Sequence, residues 1–145
     1  MHSEELKTAD PITHIFEAWD AALGARDLDA SMALYQPDAT LESPLVRYLL
    51  GTSEGIVRGR EKLRAFVGRV FASQPTERQH FRMGFLTDGS HLTWEYPRQT
   101  GDGEQMDLVE VMEIRDGLIQ HHRVYWGWYS LRLYEELQRS RQPAL

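Results

Sequence analysis

The chain contains no cysteine. Disulfide scaffolds, thiolate metal sites and cysteine nucleophiles are therefore excluded. No apolar run approaches the ~20 residues that cross a bilayer. The opening MHSEELKTAD has no apolar signal-peptide core. A membrane partner is thus not expected, and a cytoplasmic location is. Positive charge is scarce: 16 Lys and Arg stand against 22 Asp and Glu, for a formal net charge of -6. That balance argues against nucleic acid or an anionic surface as the main partner. GxSxG, HExxH, P-loop and dinucleotide fingerprints are all missing. So are repeats, low-complexity tracts and linkers, and the 145 residues read as one domain large enough to bury a core.

What is present is patterning. Asp10-Pro11 is a strong helix start, with Asp as N-cap and Pro at the first helical position. Ile12, Ile15, Phe16, Trp19, Ala22 and Leu23 follow at helical spacing, and Gly24 offers an end. Asp27 caps a second short helix carrying Leu28, Ser31, Met32 and Tyr35, stopped by Gln36-Pro37. Ala39 to Ser43 alternates like a short strand ended by Pro44. Leu45 to Gly55, with Gly51, Ser53 and Gly55, reads as a turn or a mobile loop. Arg60 to Phe71 is a third helix with Leu63, Phe66, Val67 and Val70 as its stripe. After Pro75 the period changes to two. Strands are expected near 77–87, 90–98, 104–114 and 118–128, with turns at Asp88-Gly89 and Gly101-Asp102-Gly103. Tyr129 to Arg139 reads as a terminal helix. Helices first and an antiparallel meander after them give an α+β domain. A curved sheet wrapped over the helices would form a cone with one pocket.

The last two strands carry the most chemistry. In DLVEVMEIRDGLIQHHRVYWGW a three-residue turn, Arg115-Asp116-Gly117, faces Ile114 with Leu118 and Glu110 with His122. Leu108, Glu110, Met112 and Ile114 then share a buried face with Leu118, His122, Val124 and Trp126. A two-residue Asp116-Gly117 turn is the rival, and it sets Glu110 against Arg123 instead. In that rival register Glu110 is half of a structural ion pair, and in the first register Glu110 and His122 are also compatible with a satisfied polar pair in the sheet.

The run AWDAALGARDLDASMALYQPDATLESP, followed by VRGREKLRAF, resembles the opening of a SnoaL-like domain of the nuclear transport factor 2-like superfamily. VEVMEIRDGLIQHHRVYWGW resembles that family's last hairpin. The resemblance spans about Ile12 to Trp128, so the chain reads as a single SnoaL-like domain with a core over about 11–128 and a helix or tail over 129–145. It implies an α+β barrel with a pocket for a small hydrophobic molecule and no cofactor. Relatives include ketosteroid isomerase, scytalone dehydratase, limonene epoxide hydrolase and polyketide cyclases, as well as proteins without activity, so fold alone assigns no reaction. In ketosteroid isomerase a first-helix tyrosine and a protonated aspartic acid hold the oxyanion, and an aspartate near the first strand moves the proton. The resemblance puts Trp19, Ser43 and Glu110 at those places. An indole cannot act as an acid and a serine cannot be that base, so ketosteroid isomerisation is not expected. Glu42, next to Ser43, points to the other face of its strand.

His122 oriented by Glu110 is the expected acid–base group, its second nitrogen left for substrate. Trp19 and Trp126 are expected in the pocket wall. Tyr35, Ser43 and Trp94 are further candidates to touch the ligand. No metal site is expected: His121 and His122 point to opposite faces, and His80 and His91 lack a third ligand. His2 and His14 fall at the terminus and on a polar helix side. Val109, Val111 and Ile119 share the outer face with His121, Arg123 and Tyr125, which suggests a homodimer through that face. Three functions follow: a cofactor-independent isomerase, dehydratase, hydrolase or cyclase; a non-catalytic small-molecule binder; or a protein-interaction module.

Overall fold

Asp10 caps α1 (Pro11–Ala25) by accepting from the Ile12 amide, and Pro11 has no amide proton to leave unpaired. The buried residues Ile12, Ile15, Trp19 and Ala22 form its inward stripe. The helix runs past Gly24 and ends at Arg26, in the left-handed region at φ 53. These are features of a computed structural model that describes residues 10–73, 84–99 and 105–141. The expected strand over 77–83, the turn at 101–103, His2 and His80 lie outside the described residues.

Asp27 caps α2 (Leu28–Met32) through a 3.0 Å bond from the Ala30 amide. This helix ends sooner than its apolar spacing suggests. The Ile119 amide donates to the Leu34 carbonyl at 2.8 Å, which draws the chain into the sheet. Tyr35, expected at the end of the helix, opens β1 (Tyr35–Glu42). The segment expected as a turn or mobile loop after Pro44 is instead α3 (Pro44–Leu50). Ser43 caps it by accepting from the Leu45 amide at 3.2 Å, and Gly51 ends it at φ 67. The remaining elements are β2 (Ile56–Arg58), α4 (Arg60–Ser73), β3 (Leu86–Thr87), β4 (His91–Gln99), β5 (Gln105–Arg115), β6 (Leu118–Trp126) and α5 (Tyr129–Arg141).

The α+β class and the curved sheet over N-terminal helices hold. The strand order is β2-β1-β6-β5-β4-β3, so the sheet does not close on itself. One pairing in it is parallel, between β1 and β6; the meander through β3, β4, β5 and β6 is antiparallel. Helix α1 and the apolar stripe of α4 cover its inner face. Ile15, Leu63, Leu92, Met112 and Ile119 are fully buried between them.

The hairpin takes neither simple register. Asp116 and Gly117, at φ 51 and 76, make a two-residue turn that pairs Arg115 with Leu118 and Ile114 with Ile119. A β-bulge follows: Glu113 pairs with His121, leaving Gln120 as the extra residue. The added residue resets the alternation, so Met112 faces His122, Glu110 faces Val124 and Leu108 faces Trp126. Glu110 is therefore opposite neither His122 nor Arg123. The inner face keeps Glu110, His122, Val124 and Trp126. It gains Ile119, which had been expected outside and is completely buried, and it loses Leu118.

Candidate functional site

Four polar side chains from four elements, α1, β1, β5 and β6, meet between the sheet and α1. Tyr35 comes from the start of β1, and the parallel pairing sets it beside Ile119 on β6, one bulge away from His122. Its hydroxyl lies 2.8 Å from His122 Nδ1, and the two rings are stacked at 26° with centroids 6.1 Å apart. His122 Nε2 lies 2.5 Å from Glu110 Oε2. Trp19, on the inward stripe of α1, brings its indole close enough to the Tyr35 phenol to pull the phenol's pKa partly down and meets the His122 ring edge-on at 6.1 Å. Tyr35, His122, Glu110 and Trp19 are all buried, at 2%, 2%, 4% and 5% exposure.

The donor inventory of these groups orients the protons. An indole N–H can only donate, so the Tyr35 oxygen accepts from Trp19. Among the described residues the phenolic proton then has one acceptor in reach, His122 Nδ1. With Nδ1 accepting, a neutral imidazole carries its proton on Nε2 and donates it to the Glu110 carboxylate. The result is a directed chain, Trp19 to Tyr35 to His122 to Glu110, in which each donor is matched without an added proton. Burial pushes the Tyr35 phenol far above its ordinary pKa, and the negative Glu110 pushes it further; the Trp19 bond pulls partly back.

A cavity of about 80 Å³ opens beside this chain, several times the ~10–15 Å³ that one water requires. Trp19, Tyr35, Glu110, His122 and Trp126 line it on the sheet and α1 side. Phe66, Val67, Val70 and Phe71 of α4 line it opposite; the sequence marks the first three only as the apolar stripe of their helix. Ser43 is in the wall as expected, but its oxygen is engaged as the cap of α3. Ser31 also touches the cavity and donates its hydroxyl to the Asp27 carbonyl at 2.9 Å. Trp94 is not in the wall. It packs behind it, edge-on against Trp19 at 5.2 Å and Phe16 at 5.3 Å.

Both nitrogens of His122 are engaged. The second nitrogen expected to meet substrate is bonded to Tyr35 instead, a contact that follows from the parallel β1–β6 pairing and leaves no trace in local sequence. Arg60, also unanticipated, donates from Nη2 to the Tyr35 carbonyl and pins the start of β1 to α4. On the outer face, His121 meets Thr40 Oγ1 and, at 3.1 Å, Glu42. Glu42 thus points away from the cavity. His91 bonds Asp88 at 2.9 Å near the β3–β4 turn. Among the described residues no cluster of three or more His, Asp or Glu could hold a metal. No described helix is long and apolar enough to cross a membrane.

The SnoaL-like domain family model matches residues 16–122. A steroid Δ-isomerase from Nocardioides simplex is 28% identical over 102 residues, 68% of this chain and 75% of that protein. Two solved structures share the fold. A SnoaL-like protein of unknown function from Burkholderia thailandensis has a TM-score of 0.67 at 20% identity, covering 83% of this chain and 98% of that one. TerC, co-crystallised with polyporic acid, has a TM-score of 0.68 at 18% identity, covering 86% and 96%.

Proposed function

Because the chain belongs to the SnoaL-like domain family, we propose that it binds a small hydrophobic molecule in the cavity under α1 and moves a proton on it without a cofactor. The observation that carries this reading is the buried Trp19–Tyr35–His122–Glu110 chain ending on the cavity wall. A purely structural polar pair has no need of an aligned donor series or of open space beside it. Glu110 is the group placed to act on the ligand. His122 and Tyr35 hold it and can take up or return a proton through Nδ1 and the phenol. The roles are thus the reverse of a histidine base set by an acid.

The steroid Δ-isomerase relative does not bring its substrate to this chain. Ser43 stands where the resemblance places the proton-moving aspartate, and its oxygen already caps α3. That observation favours a second reading, a binding domain without turnover. The two readings separate in deuterium oxide. Small cyclic alcohols, phenols and ketones are incubated with the protein and followed by NMR for deuterium incorporation or elimination. The enzyme reading expects exchange in at least one compound with wild type and none with Glu110→Gln or His122→Ala. Binding with no exchange in any compound would leave the binding domain.

The exposed outer-face residues Val109 and Tyr125 support a homodimer through that side of the sheet. A monomer at micromolar concentration in sedimentation velocity would count against it.

A further inference from the structure

From the arrangement of donors and acceptors around the cavity, we infer that the site selects ligands bearing a hydroxyl or phenol O–H and discriminates against carbonyl compounds. The inference rests on the cavity being a ligand site, as proposed above, and adds the chemical class of the ligand.

On the Glu110 side every donor among the described residues is committed. Trp19 donates to Tyr35, Tyr35 to His122 Nδ1 and His122 Nε2 to Glu110 Oε2. The series points towards the carboxylate and stops there. Glu110 Oε1 has no partner among the described residues. Among the described residues, the partnerless buried polar atoms sealed off by protein are Arg60 Nε and Trp126 Nε1. Oε1 is not one of them, and Glu110 lines the cavity. With Oε2 held by His122, Oε1 is the carboxylate oxygen that the described residues leave to the cavity. A carboxylate only accepts, so a ligand must bring the proton.

A ketone or ester oxygen placed there would meet another acceptor. The remaining indole, Trp126, could help only by turning, since its nitrogen is covered. Among the described lining residues Ser43 alone keeps a hydroxyl proton, because its oxygen receives the Leu45 amide; Ser31 commits its own to Asp27. A second oxygen on the ligand would thus find its donor at Ser43. A site made to accept from a ligand hydroxyl also rejects the analogue lacking one, because the buried acceptor is then left unpaired.

The test is calorimetric titration at neutral pH with three probes of similar size: para-ethylphenol, para-ethylfluorobenzene and para-methylacetophenone. The phenol is expected to bind about tenfold or more tighter than either of the others. In Glu110→Gln, whose amide can donate as well as accept, that preference should collapse to within about threefold. If the ketone or the fluoro compound binds as tightly as the phenol to wild type, the inference is wrong while the cavity reading survives. If none of the three binds, the cavity reading itself fails and takes the inference with it. The wild-type comparison decides even if the variant does not fold.

Discussion

Glu110 and His122 are diagonal neighbours, not a cross-strand pair. Glu110 lies opposite Val124 and His122 opposite Met112, yet their side chains meet at 2.5 Å. The bulge at Gln120 makes this geometry. Without an extra residue, the two-residue turn would set Glu110 against Arg123 and send His122 to the outer face, since a one-residue slip inverts a strand.

Removing one member of this buried pair should cost more than removing both. His122→Leu leaves the Glu110 carboxylate without its donor, a loss of about 3 kcal/mol or more. The double variant Glu110→Met, His122→Leu replaces both with apolar groups of similar length and should be more stable than His122→Leu alone. Urea denaturation of the two variants and wild type gives the order directly. A double variant less stable than the single would show that the pair contributes net stability.

Alkaline pH should act through Tyr35. Its folded pKa is raised above the ordinary value, so the folded state holds a proton that the unfolded state releases. Its stabilising contribution is complete below about pH 10 and is lost as pH rises from there towards the folded value. Phenolate absorbance should show one of the six tyrosines lagging while the fold persists, and Tyr35→Phe should abolish the lag. The variant's stability should also fall less steeply above that pH. Identical titrations of variant and wild type would remove Tyr35 from the buried chain.

The hairpin turn should depend on Gly117 through its backbone alone. Gly117 sits at φ 76 with open space around an added Cβ. Gly117→Ala should cost about 1–2 kcal/mol from the left-handed conformation, and Gly117→Asn less. Thermal melts of both variants measure it. Equal losses would mean that something other than φ sets the turn.

Much of this was legible in the sequence. Asp10-Pro11 marks α1, and period-two alternation marks the last strands. The Glu110 and His122 inner face emerges correctly, although through a turn and a bulge whose effects offset one another. Ser43-Pro44 carries the same cap-and-proline signature as Asp10-Pro11. The glycines and serine that follow it read as loop, and α3 was obscured. Tyr35 was read at the end of a helix because Leu28, Ser31, Met32 and Tyr35 keep helical spacing. The pairing that pulls it into β1 is with residues more than 80 positions away, and no local pattern encodes that. The same long-range contact joins Tyr35 to His122, so the engagement of Nδ1 was not legible either.

The direction of the Trp19–Tyr35–His122–Glu110 chain is the central claim, and it has a direct spectroscopic readout. Long-range proton–nitrogen correlation spectra of the ligand-free protein at neutral pH report which His122 nitrogen carries the proton. The expected result is a neutral ring protonated at Nε2, with Nδ1 bare and accepting from Tyr35. In Trp19→Phe the Tyr35 oxygen loses its donor and is free to accept, so the Nδ1-protonated form should gain population. A wild-type ring protonated at Nδ1 alone, or at both nitrogens, would contradict the directed chain and the proton-bearing ligand inferred from it.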